Sequence, residues 1–169
     1  MRLFVAIPLK GKMGKTVTGV QDAFRAQGVG GAYVPAENLH ITLAFIGEYS
    51  DPDFVLEVME GLSFSAFDVS MDRLGCFDDL WWTGFSDSAA LEKLARELRH
   101  ALAKAGIPYD KTKFKPHVSF LRRAKMREGR QLAVNFKAAG MKVDCISLMR
   151  SDRGKNGMIY TELGTVYAL

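Results

Sequence analysis

Apolar residues recur along the chain in two rhythms. The stretch Arg2 to Pro8 is almost continuously apolar and predicts a first strand, stopped by a proline that has no N–H for a sheet ladder. Met13, Val17, Val20 and Phe24 then fall at helical spacing and predict a helix over 12–27, although Gly14 and Gly19 weaken it. Residues 28–31 read as a glycine loop that leads through Pro35 into a strand over 38–47. Asp51-Pro52-Asp53 predicts a helix start: Asp51 can cap, Pro52 suits the first helical position and Asp53 complements the dipole. That helix runs to about Glu60 and stops at Gly61. Two strands, Ser65 to Leu74 and Leu80 to Phe85, are joined through Phe77-Asp78-Asp79. The clearest helix is Ser88 to Ala105, where Leu91, Leu94, Leu98 and Leu102 make one stripe before Gly106 and Pro108. Further on, Gln131 to Lys137 is a weak segment, Met141 to Arg150 predicts a strand, 152–157 a turn, and Met158 to Leu163 a last strand. Strands and helices mix without regular parallel alternation, which predicts an α+β fold with antiparallel sheets.

Composition adds bounds. A chain of 169 residues, 48% hydrophobic and 25% charged, is expected to form a single domain over 1–169 with a real core. No apolar run approaches the ~20 residues that cross a bilayer, and the opening segment reads as a strand and not as a secretory signal. The expectation is a cytoplasmic protein with no membrane partner. Cys76 and Cys145 lack metal-ligand spacing and are both expected to pack as small apolar residues. The net charge is +4. Much of it is local: Lys111, Lys113, Lys115, Arg122, Arg123, Lys125, Arg127 and Arg130 are opposed there by Asp110 and Glu128 alone. Such a run suits a polyanion, whose binding weakens with salt, and otherwise is a solvated face.

The candidate chemistry lies in Asn38 to Gly47. On a strand, His40 and Thr42 share one face while Ile41, Leu43 and Phe45 share the other, so an imidazole and an alcohol stand together opposite a core face. Phe114 to Leu121 repeats the arrangement with His117 and Ser119. The chain has three histidines in all. Two of them in one local pattern point to an internal duplication that brings two imidazoles to one cleft. A pair of core histidines satisfied by neighbouring hydroxyls is the bland alternative, with Thr42 as a β-favouring residue; the matched contexts favour an active pair. His100 lies off the leucine stripe of its helix and reads as exposed. No glycine-rich phosphate loop follows a strand, no cofactor is implied, and no metal is expected because a third ligand is missing.

These motifs resemble the two-histidine (2H) phosphoesterase superfamily, in particular its RNA 2′,3′-cyclic phosphodiesterases, also called 2′-5′ RNA ligases. The resemblance runs from the opening strand Arg2 to Ile7, through Glu37 to Glu48 and Trp82-Thr83-Gly84, to Pro116 to Arg122 and the Tyr160 and Leu163 pattern of the last strand. Ser119 stands where threonine is more usual, and Phe120 where leucine is often found.

The resemblance implies a bilobal fold: two antiparallel sheets in lobes related by a pseudo-twofold axis around a central groove, with helices outside. It implies metal-independent hydrolysis of RNA 2′,3′-cyclic phosphate ends to 2′-phosphates, with 2′-5′ joining of RNA ends as a further activity. The partners are then RNA with such ends or cyclic nucleotides, and the protein a monomer. It implies His117 as base and His40 as acid, a direction that the residues alone leave open. Thr42 and Ser119 donate to phosphoryl oxygens and Arg122 supplies a cation. In an ideal strand Arg122 points away from His117, so the strand must end or bulge before it. Trp82 offers an aromatic wall for a base, or else is core. A nucleotide- or RNA-binding module without turnover, and a metallohydrolase, are the competing readings.

Overall fold

The computed structural model describes residues 1–127, 129 and 131–169. In chain order these form β1 (Arg2–Pro8), α1 (Gly11–Ala26), β2 (Gly30–Tyr33), a 3-10 turn (Ala36–Asn38), β3 (His40–Glu48) and α2 (Pro52–Glu60). There follow β4 (Phe67–Met71), β5 (Arg73–Phe77), β6 (Leu80–Gly84), α3 (Ala89–Lys104), β7 (His117–Lys125), β8 (Ala139–Val143), β9 (Cys145–Gly154) and β10 (Gly157–Tyr167). Two four-stranded antiparallel sheets, in the orders β10-β9-β1-β3 and β2-β7-β6-β5, carry one histidine motif each. Beyond the two sheets expected, β4 and β8 form a separate two-stranded ribbon.

The helices are where the periodicities put them. Asp51 accepts from the Phe54 N–H at 3.1 Å, Pro52 opens α2 and Gly61 closes it. The α3 stripe Leu91, Leu94, Leu98 and Leu102 is buried, as are Met13, Val17, Val20 and Phe24 of α1. The helix α3 lies on β3, and α1 on β7 and β8. Among the described residues, no helix is long and apolar enough to cross a membrane.

Three strand expectations are corrected. Gly30–Tyr33, read as loop and lead-in, is β2, which covers one edge of β7. The single strand expected over Ser65 to Leu74 divides at Asp72 into β4 and β5, which belong to different sheets. Met141 to Arg150 likewise divides at Asp144 into β8 and β9. In both cases one apolar run serves two sheets, and the polar residue marks the change. The weak segment 131–137 forms no regular element; Gln27 holds it by exchanging hydrogen bonds with the Ala133 backbone, at 2.8 and 2.9 Å.

The two motif strands share one register pattern. Strands β1 and β3 pair His40 with Pro8, Thr42 with Ala6 and Ala44 with Val5, which leaves Leu43 unpaired. Strands β6 and β7 pair His117 with Gly84, Ser119 with Trp82 and Leu121 with Trp81, which leaves Phe120 unpaired. Each motif strand thus carries a β-bulge at the third residue after its histidine. Each bulge carbonyl is held from a helix. Arg99 of α3 donates to the Leu43 carbonyl at 3.0 Å, and Gln21 of α1 to the Phe120 carbonyl at 3.0 Å. Both side chains sit ten residues after the first residue of their helices, Ala89 and Gly11.

Candidate active site

The bulges decide which side chains face the groove. Leu43 with Ala44, and Phe120 with Leu121, are consecutive buried residues, so the in-and-out alternation restarts after each pair. Arg122 thereby comes round to the histidine side, as the sequence required if it was to serve the site. Phe45 comes round too, which corrects its expected place on the core face beside Ile41 and Leu43. Both line a cavity of about 800 Å³ together with Arg2, His40, Thr42 and Tyr160.

Both imidazoles are anchored in the same way. The His40 Nδ1 lies 2.6 Å from the Asn38 carbonyl and the His117 Nδ1 2.6 Å from the Lys115 carbonyl. A carbonyl only accepts, so each Nδ1 carries the proton and each Nε2 is left for a ligand. Thr42 Oγ1 is 2.9 Å from the His40 Nε2 and donates to it while the ring is neutral. Asn38 is itself fixed: its side-chain amide donates to the Met158 carbonyl of β10 at 2.9 Å.

The two rings have different surroundings. Phe4 and Tyr160 pack on His40, with ring centroids at 5.0 and 5.4 Å, and on each other at 5.0 Å. Burial pushes the His40 imidazole below its ordinary value; the Asn38 carbonyl opposes this, and the charges of Arg122 and His117 push it down again. Both groups are carried by β7, which packs against β3. His117 instead borders a cavity of about 290 Å³ whose walls include Trp82, Phe77 and Lys115.

Trp82 is the register partner of Ser119, and its indole covers Gly75 and Gly84, where an added Cβ would come within 2.5 and 2.9 Å of the ring. The core role falls to Trp81, which meets Phe24 edge-on at 5.0 Å. His100 is exposed on α3. Cys145 is buried as expected, whereas Cys76 is exposed on β5 and does not pack as an apolar residue. Of the basic stretch, Lys113 and Lys115 line the His117 side and Arg122 the His40 side. Glu128 and Arg130 lie outside the described residues. No group of three or more His, Cys, Asp or Glu side chains that could hold a metal comes together among the described residues.

Sequence reasoning missed Phe4 as a wall of the His40 pocket and the anchoring carbonyls of Asn38 and Lys115. The anchors had a signal, since both stand two residues before a histidine. Phe4 had none, because an apolar strand residue reads the same on either face.

Comparison with known proteins follows the same lines. Residues 17–155 match the family model of the 2′-5′ RNA ligase superfamily. The RNA 2′,3′-cyclic phosphodiesterase of Aeropyrum pernix is 30% identical over 167 residues, 88% of this chain and 93% of the relative. That of Thermotoga maritima is 30% identical over 129 residues, 70% of this chain and 68% of the relative. Among solved structures, Escherichia coli LigT complexed with 3′-AMP matches with a TM-score of 0.81 at 25% identity, over 99% of this chain and 97% of that one.

Proposed function

Because the chain belongs to the 2′-5′ RNA ligase superfamily, we propose that it is an RNA 2′,3′-cyclic phosphodiesterase that opens terminal cyclic phosphates to 2′-phosphates without a metal ion. The observation that carries this reading is the matched pair of ring anchors, each an Nδ1–H held at 2.6 Å by a carbonyl two residues upstream. In this reading the two Nε2 atoms serve one groove, one as base and one as acid, which is what in-line opening of a phosphodiester needs.

His117 is the base. It sits on the more open side of the groove, takes a proton from water through Nε2, and the water oxygen bonds to phosphorus. The bond from phosphorus to the 3′-oxygen breaks, and His40 gives that oxygen its proton. Thr42 and Ser119 donate to the non-bridging oxygens, with Thr42 leaving the His40 Nε2 when that ring is protonated. Arg122 balances the charge that builds on phosphorus-bound oxygen. Trp82 stacks on a base. The complex of the related LigT with 3′-AMP supports a ligand of nucleotide size in this groove. Both histidines come from one chain, so a monomer suffices.

Joining of RNA ends in 2′-5′ linkage belongs to the same proposal. A 5′-hydroxyl replaces water as nucleophile and the same 3′-oxygen leaves, so the cyclic phosphate is the only activation required.

The test is incubation with a short RNA ending in a 2′,3′-cyclic phosphate, chelator present, with the terminus read by phosphorus NMR. A 2′-phosphate is expected. A 3′-phosphate would overturn the leaving-group assignment, and binding without conversion would replace the enzyme with a nucleotide-binding module.

A further inference from the structure

The groove continues past His117. The cavity of about 290 Å³ beside that histidine shares Glu92, Lys113 and Phe114 as walls with a second cavity of about 560 Å³ on the outer face of α3. Together they form one trough that leaves the candidate site and follows α3 from Glu92 to Ala103. That is roughly 16 Å of helix at 1.5 Å per residue. Stacked nucleotides advance about 3.4 Å each, so the trough has room for at most about five.

Its chemistry is that of a binder of single-stranded polyanions with planar groups. Arg73, Lys113, Lys115, Arg96 and Arg99 line it against one carboxylate, Glu92. None of these five cations is paired with a carboxylate among the described residues. Arg99 is engaged by the Leu43 and Thr112 carbonyls, at 3.0 and 2.8 Å, and Arg73 by the Ser86 hydroxyl at 3.1 Å, which leaves Lys113, Lys115 and Arg96 for a ligand. Near His117 the walls are aromatic. Phe77 is 51% exposed at the end of β5, its ring 5.6 Å from the Trp82 ring, with the Lys115 Nζ 5.6 Å from its centroid. Exposed aromatic faces followed by unpaired cations are the pattern on which bases stack and backbone phosphates are tracked. On the His40 side Arg150 is paired with Asp152 at 2.9 Å and Arg2 lies over Phe45 at 5.1 Å, while Arg122 and Arg153 also line the cavity.

We propose that this trough carries the RNA chain on the 5′ side of the cyclic phosphate, with a base stacked on the exposed face of Phe77 and the following phosphates on Lys115, Lys113 and Arg96. The inference rests on the function proposed above and deepens it: the protein is built for the ends of RNA strands, and cyclic mononucleotides are poor substitutes. Glu92 stands against the bound strand, so its neutralisation strengthens binding.

The experiment compares kcat/KM for a six-nucleotide RNA with a 2′,3′-cyclic end and for adenosine 2′,3′-cyclic phosphate, in the wild type, Arg96→Glu/Lys113→Glu and Glu92→Gln. The wild type should prefer the oligomer. The double variant should lose that preference through a higher oligomer KM, and Glu92→Gln should lower the oligomer KM. Loss of two phosphate contacts should reduce the salt slope of oligomer binding by about 1.4. Equal wild-type efficiency on both substrates, or equal loss on both in the double variant, would overturn the trough and leave the phosphodiesterase standing. Binding of a labelled oligomer to His117→Ala protein, followed by fluorescence anisotropy, keeps the test free of turnover. If charge reversal leaves that Kd unchanged, the trough is wrong; if neither substrate turns over but charge reversal weakens binding, the trough stands and the proposed activity fails.

Discussion

Replacing Gln21 by leucine tests whether the bulge in the second motif strand is held from outside its sheet. Gln21 is 3% exposed on α1, and its amide donates to the Val34 carbonyl at 2.8 Å and the Phe120 carbonyl at 3.0 Å. Leucine keeps most of the volume, so the cavity contribution is small and the loss is polar. The two carbonyls fare differently. Phe120 keeps a second donor, the Val34 N–H at 3.0 Å, so it stays partly satisfied. Val34 loses the amide in a part-buried place. A typical hydrogen bond contributes about 1 kcal/mol, and an orphaned buried acceptor costs roughly 1–3 kcal/mol, so the expected loss is about 2–3 kcal/mol.

In a chain of 169 residues, that is a fall in Tm of roughly 4–12 °C. Urea unfolding followed by circular dichroism should show a lower midpoint with an unchanged m-value, since the surface exposed on unfolding is the same. Activity is the second readout. Phe120 lies between Ser119 and Arg122, so a loosened bulge moves both phosphate contacts, and kcat should fall in the folded protein below the unfolding range. A stability loss under about 0.5 kcal/mol would mean that Phe120 needs no support beyond Val34, and the argument that a helix side chain fixes the bulge would be wrong.

Three further outcomes are expected. His40→Ala and His117→Ala should each lower the cyclic phosphodiesterase rate by ~10²- to 10⁴-fold, about 3–5 kcal/mol of barrier; two nearly active variants would end the two-histidine mechanism. The folded-state pKa of His40 is lowered from the ordinary 6.5, so the unfolded chain takes up that proton first. Stability should therefore fall as pH drops through about 6.5, level off below the folded value, and show less of this slope in His40→Asn urea titrations; an identical slope refutes the burial argument. Gly75→Ala places a Cβ 2.5 Å from the Trp82 ring. It should cost roughly 1–3 kcal/mol, shift the tryptophan emission and weaken nucleotide binding, whereas wild-type emission and Tm would show that the indole does not rest on that glycine.

The elements that could be read from the sequence are those fixed by local pattern. The α3 stripe, the Asp51 cap with Pro52, and the alternation of His40, Ile41 and Thr42 all rest on contacts within a few residues. What escaped depends on partners far along the chain. Strand β2 is four residues, two of them glycine, and is a strand because β7 lies beside it. The divisions at Asp72 and Asp144 arise because neighbouring apolar residues serve different sheets. The bulges did leave a trace, the adjacent apolar pairs Leu43-Ala44 and Phe120-Leu121, which break strict alternation at one position in both motifs. Read as a change of phase, those pairs turn both Phe45 and Arg122 toward the histidines.

The two halves of the site differ away from the histidine anchors. The anchors and bulges match, but the register partner of Thr42 is Ala6 while that of Ser119 is Trp82, and the residue beyond the bulge is Phe45 in one motif and Arg122 in the other. A symmetric site would hold two imidazoles of equal basicity, whereas opening a cyclic phosphate takes one that gives a proton and one that accepts it. The neighbours of the two rings differ. Phe4 and Tyr160 pack on His40, and burial together with the charge of Arg122 on β7 disfavours its charged form; an anionic phosphate beside the ring would oppose that. His117, beside the trough and Trp82, stays open to water. In the proposed mechanism the residues around the two histidines set the direction of proton flow, which is why the motifs alone left it undecided.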